Sequence, residues 1–132
     1  MEGFPDVELA LMEILTPLGK TGVVFDEELT IRIRVNRTGG SADRLGLQDN
    51  AVVTITSLVP KQTNAASREA AMELNRQIRA KLGQARAIAT AVGFIDKIAE
   101  TNSPMPIPDP NLDVRCIEST WMVTSRLQEL PA

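Results

Sequence analysis

Six consecutive residues constrain this chain more than any others: Ile31-Arg32-Ile33-Arg34-Val35-Asn36 alternates apolar and polar side chains without a break. A period of two fits an extended strand with one buried face, because successive side chains of a strand point to opposite sides. The alternation places Ile31, Ile33 and Val35 inward. Arg32, Arg34 and Asn36 point outward, with Arg37 just beyond. Such a strand needs a neighbour, and Ala51 to Val59 supplies one, being rich in β-branched residues (Val52, Val53, Thr54, Ile55, Thr56, Val59). Both faces of that run are rather apolar, which predicts a central strand. Between the two lies NRTGGSADRLGLQDN, Asn36 to Asn50. Its Gly39-Gly40 pair and its Ser, Asp and Asn content predict a long loop over 36–50, closing a long-looped hairpin.

Helical periodicity flanks this β core. Val7, Ala10, Leu11, Ile14, Leu15 and Leu18 recur at the spacing of one helix face. Pro5 suits the first helical position, Asp6 and Glu8 suit the positive end of the helix dipole, and Gly19 and Gly22 stop the helix. Leu9 and Met12 fall off the stripe and either widen the core face or meet a partner. In a second helix, Thr63 or Asn64 is the cap, Ala71, Leu74, Ile78 and Leu82 form the buried stripe, and Gly83 is the stop. Arg68, Glu69, Glu73, Arg76 and Arg79 lie mostly on its other faces. Gly22 to Phe25 reads as a short strand or an extended lead-in, and Gln84 to Val92 fits a helix tail or a loop.

A further strand is expected at about Phe94 to Glu100. After it, Ser103-Pro104-Met105-Pro106-Ile107-Pro108-Asp109-Pro110 has proline at every second position, which removes ladder donors and predicts a Pro-rich loop over 103–113. Val114 to Arg126, with Ile117, Trp121 and Val123 at even spacing, is the last strand, and Leu127 to Ala132 a frayed tail. Trp121 reads as a core anchor and Cys116 as a small buried or half-buried residue. The expected fold is α+β: a mainly antiparallel sheet with two helices packed on one face, in one domain spanning 1–132.

Composition sets the functional limits. The 132 residues contain no histidine and one cysteine, Cys116. Ser-His and Cys-His nucleophile pairs, histidine bases, intramolecular disulfides and multi-cysteine metal sites are therefore excluded. No catalytic residue, cofactor site or metal site is expected. With 14 bases against 17 acids, a net charge of -3 and 3% aromatics, the chain is poorly suited to phosphate neutralisation or base stacking. No apolar stretch is long enough for a membrane span, and the N-terminal MEGFPDVE is acidic where a signal peptide is basic, so no membrane association is expected. Gly39-Gly40 lacks the phosphate-loop patterns and reads as a turn within an interaction loop. The Arg32, Arg34, Arg37 row reads as a solvated face paired with nearby acids, as an anion or nucleic-acid patch, or as a contact with a neighbouring subunit.

Four segments in order carry a family resemblance: FPDVELALMEIL, IRVNRTGGSADR, ASREAAMELNRQIRAKL and PDPNLDVRCIESTWMVTSR. Together they resemble the tail terminator proteins of siphophages, particularly those infecting actinobacteria, from about Phe4 to Arg126. The resemblance implies a structural virion protein: a homohexameric ring that caps the tail tube, stops its polymerisation and joins the tail to the head connector or stopper protein. It implies residence in the tail-neck region after assembly in the host cytoplasm, with DNA only passing through the lumen. The family's strand-and-loop falls on Arg34, Arg37, Thr38, Gly39, Gly40 and Asp43, with Arg44 beside it. Its approach to the last strand falls on Pro108, Asp109, Pro110, Asn111 and Arg115. These two regions are the expected subunit or partner interfaces. A head-tail stopper, a tail tube protein and, from another class, a small ligand-binding α+β regulatory domain are the competing readings. An enzyme working with carboxylates or lysines alone is the weakest.

Overall fold

The computed structural model describes residues 1–22, 31–60, 64–83, 85–107 and 114–131. A short strand β1 (Glu2–Gly3) leads into helix α1 (Val7–Leu15), followed by β2 (Lys20–Gly22), β3 (Arg32–Ala42) and β4 (Gln48–Pro60). Helix α2 (Asn64–Gly83) precedes β5 (Arg86–Thr90), β6 (Gly93–Ile107), β7 (Val114–Arg126) and β8 (Gln128–Glu129). Six strands form one sheet in the order β2-β3-β4-β7-β6-β5, while β1 and β8 pair separately. Among the described strands only β2 and β3 run parallel; every other pairing is antiparallel. The result is an α+β fold dominated by a curled, mostly antiparallel sheet.

Strand β4 is central, as its two apolar faces predicted, paired with β3 on one side and along its whole length with β7 on the other. Val7, Ala10, Leu11 and Leu15 of α1 and Ala71, Leu74, Ile78 and Leu82 of α2 are buried in one core cluster with Ile33, Val35, Val53, Ile55, Trp121 and Val123 of the sheet. The helical stripes read from spacing are thus the buried stripes, with Ile14 and Leu18 only partly buried against the core. Trp121 is fully enclosed, and its indole Nε1 donates to Ser119 Oγ at 2.9 Å. On α1, Leu9 is exposed and Met12 packs partly against the core. Asp6, not Pro5, begins that helix: it is the N-cap, its carboxylate accepting from Leu9 N at 3.2 Å. Pro17 then tightens the chain into a 3-10 turn over Thr16–Leu18.

Several expectations are corrected. The expected loop 36–50 is mostly strand, because β3 continues to Ala42 and β4 begins at Gln48, leaving 43–47 as the connection. The physical reason is a β-bulge between Arg37 and Gly39, which absorbs one extra residue, Thr38, and lets the ladder resume through the glycines. Arg32 is not outward but 3% exposed, and Ile31, expected inward, is 43% exposed. The ladder starts at Arg32, so Ile31 lies outside it. Arg32 pairs with Leu58, which pairs with Cys116, and these last two are buried together apart from the main core.

The expected Pro-rich loop 103–113 is also partly strand, since β6 runs through Pro104 and Pro106 to Ile107. Strand β5 pairs with β6 only between Gly93 and Lys97, so the proline-bearing half has one free edge among the described strands. There, missing N–H donors break no ladder bond. Residues 108–113 lie outside the described set. Arg86–Thr90 is a strand instead of a helix tail or loop. The expected frayed tail is pinned, because Glu129 and Gln128 pair with Glu2 and Gly3.

Candidate interaction surfaces

Those predicted site residues that are described fall at two ends of the sheet. At the β3–β4 end, Arg37 is a lock for the bulge. Its guanidinium donates to both Asp49 carboxylate oxygens, at 2.8 and 3.0 Å, and its Nε donates to Gly39 O at 3.2 Å. Its backbone N donates to Glu8 Oε2 at 3.0 Å, tying the bulge to α1. The Asp49 carboxylate raises the Arg37 pKa above its ordinary value through that hydrogen-bonded pair. Asp49 is buried, so this paired geometry is what makes a carboxylate tolerable there. Arg37 is therefore committed within the chain. Thr38 Oγ1 lies 3.2 Å from Thr54 Oγ1, and Arg34 is half-buried opposite Thr56.

Gly40 has φ +90°, and a Cβ there would lie 2.0 Å from Asn50 O and 2.8 Å from Ala51 Cα. Gly39 has no such restriction, its nearest neighbour being Val52 Cβ at 3.9 Å. The glycine pair thus acts through one member, which admits the opposite strand. Asp43 closes the turn: its Oδ1 accepts from Leu47 N at 2.9 Å and Gln48 N at 3.3 Å. This leaves Arg44, Leu45 and Leu47 at the hairpin tip, with the leucines 78% and 55% exposed. Leu45 and Leu47 were missed from sequence, although two leucines flanking a glycine inside a polar turn are the signal that could have marked them.

The β1–β8 corner lies at this same end, because β7 leads directly into β8. Gln128 docks it to β6 by accepting from Phe94 N at 2.8 Å and donating to Phe94 O at 3.0 Å. Gly93, with φ +144°, leaves room for Pro5. Arg126 pairs with Asp96 and sits 5.6 Å from the Phe94 ring centroid, and the Asp96 hydrogen bond raises its pKa.

Arg115 lies at the opposite end of β7. It helps line a cleft of about 790 Å³ between α2 and the proline-bearing half of β6. Arg68, Arg76 and Arg79 line the same cleft, over a floor that includes Met72, Pro104 and Ile117. From spacing alone, those three arginines fall on faces of α2 other than its buried stripe. Their spacing with Met72 (68, 72, 76, 79) is that of one helix face and was the available signal. Pro108, Asp109 and Asn111 lie outside the described residues. At about 3.3 Å per strand residue, Arg115 and the Asp43–Leu47 tip are roughly 35 Å apart. Arg115 and the hairpin tip therefore do not form one site.

Among the described residues, no group of three or more acidic or cysteine side chains is placed to hold a metal. The sheet thus carries exposed leucines at one end and clustered arginines at the other. The sequence matches the family described as phage tail termination protein over residues 3–130, and the chain belongs to that family. It is accordingly a bacteriophage structural protein, a component of the virion tail that interacts with other tail or neck proteins. No curated protein sequence matches it.

Proposed function

We propose that this chain forms a homohexameric ring at the neck, capping the tail tube, stopping its polymerisation and joining the tail to the head connector or stopper protein. The family match over nearly the whole chain carries this reading. The placement of unlike surfaces at opposite ends of one sheet supports it, since a cap that also joins needs two non-equivalent docking faces. In this reading both helices cover one face of the sheet. The hairpin tip (Arg44, Leu45, Leu47) makes one axial contact, and the DNA passes through the lumen without being bound. Fixed cations facing that lumen would retard the phosphates, and a net charge of -3 suits passage.

Electron microscopy of virions carrying a label on this chain tests the proposal. Density at the head-proximal end of the tube is the expected result, together with tubes of uncontrolled length when the chain is omitted from assembly. Label at the distal tip or distributed along the tube would end the capping role.

A further inference from the structure

We infer that the arginine-lined cleft is the socket for a second copy of this chain, and that it receives the neighbour's acidic β1–β8 corner head to tail. The inference rests on the ring reading above and names the contact that would build such a ring.

The socket is cationic in a chain that is acidic overall. Four arginines line it, and no Asp or Glu does among the described lining residues. Arg76 pairs with Glu73, and Arg79 makes a two-pronged pair with Glu100 at 2.8 and 2.9 Å. Arg68 makes no ion pair among the described residues. The apolar floor of Met72, Pro104 and Ile117 suits burial against protein better than against a hydrated phosphate backbone.

The corner carries the complementary charge. Glu2 stands directly opposite Glu129 in the β1–β8 ladder, a like-charge pair that is unfavourable in isolation. The Met1 ammonium pairs with Glu129, while Glu2 has no ion pair among the described residues. Asp6, exposed four residues further along the chain from Glu2, carries another carboxylate, which also caps α1. An arginine cluster brought against this corner relieves the repulsion.

Position decides how the two can meet. The socket lies at the start of β7 and the corner just past its end, about 40 Å away at strand spacing. One copy cannot bring its own corner to its own socket. Contact between unlike surfaces of identical chains is heterologous, and it closes into a ring when the rotation between copies allows.

The test is a charge exchange in the full chain, read by sedimentation velocity at low and high salt. Arg68→Glu/Arg76→Glu makes the socket acidic, and Glu2→Arg/Glu129→Arg makes the corner basic. Each variant alone should associate at least about tenfold more weakly than the wild type. An equimolar mixture should recover association, because each socket then meets an opposite corner. If a reversal variant misfolds by circular dichroism, Arg68→Gln/Arg76→Gln replaces it and should weaken association without rescue. Unchanged association in either reversal, no recovery in the mixture, or a wild type that stays monomeric at all concentrations overturns the inference. So does duplex DNA binding that is lost with the socket arginines, which would assign the cleft to nucleic acid. Tails capped normally by the reversal variants retire this interface and leave the capping role intact. Restored association in a chain absent from the neck does the opposite.

Discussion

Three glycines of one hairpin offer a subtraction experiment. Gly39, Gly40 and Gly46 lie within the same β3–β4 unit, yet each would present a new methyl group to a different environment. Gly46 has φ +70° with nothing within 4 Å of the added atom, so Gly46→Ala carries only the left-handed backbone penalty, about 1 kcal/mol. Gly40 carries that penalty plus a Cβ placed 2.0 Å from Asn50 O, with two more backbone atoms at 2.8 Å. Backbone cannot swing aside as a side chain can, so the ladder must open locally. By analogy with overpacked cores this adds about 1–3 kcal/mol, bringing Gly40→Ala to about 3 kcal/mol. Gly39 meets only an ordinary contact at 3.9 Å, and replacing a strand glycine there is neutral or stabilising by about 0.5 kcal/mol. Urea unfolding of the three alanine variants, analysed at a common slope, should rank them Gly40, Gly46, Gly39 from most to least destabilised. Equal losses at Gly40 and Gly46 would show that the cross-strand approach costs nothing. A loss at Gly39 as large as at Gly40 would refute the account of the bulge.

Three further variants separate structural from assembly roles. Arg37→Met strands the buried Asp49 carboxylate and should cost about 2–3 kcal/mol, discounted from a fully buried pair because Arg37 keeps 35% of its side chain exposed. Asp49→Asn leaves an arginine that can turn to water and should cost about 1 kcal/mol, a difference that thermal unfolding resolves. The raised Arg37 pKa makes its contribution complete below the ordinary arginine value and lost only above it. The part that depends on the arginine's charge is therefore flat across neutral pH. Leu45→Ser/Leu47→Ser should leave stability within about 0.5 kcal/mol, since both side chains already face solvent. The same pair should abolish capping of tubes scored by microscopy; normal capping would remove the hairpin tip from the assembly surface.

The legibility of the candidate sites follows the range of the forces that build them. Arg115 was placed at an interface from the order of motifs, and it lines the cleft. The partners that make it a cleft, Arg68, Arg76 and Arg79, come from a helix some forty residues earlier in the chain. Their shared face was readable, but not what that face opposes. The Arg32, Arg34, Arg37 row reads from sequence as paired with nearby acids, as an anion patch or as a subunit contact. For Arg37 the structure supplies an acid, Asp49, twelve positions on and across the β3–β4 ladder, which no local spacing singles out.

The sequence by itself determined the periodic elements: the alternation that buries Ile33 and Val35, the stripes Val7–Leu15 and Ala71–Leu82, the central β4 and the Trp121 anchor. These are local consequences of side-chain geometry, repeated every two or 3.6 residues, and they need no knowledge of the partner element. Tertiary structure decided the rest. It turned residues 36–42 and 103–107 into strand, because a bulge and a sheet edge left free among the described strands accept residues that isolated propensity rejects. It exposed Ile31 by fixing where the ladder begins, and it buried Arg32 at the ladder's first pair. It also set the arginine cleft and the acidic corner at opposite ends of β7, a separation fixed by pairing register and strand length, which composition cannot encode.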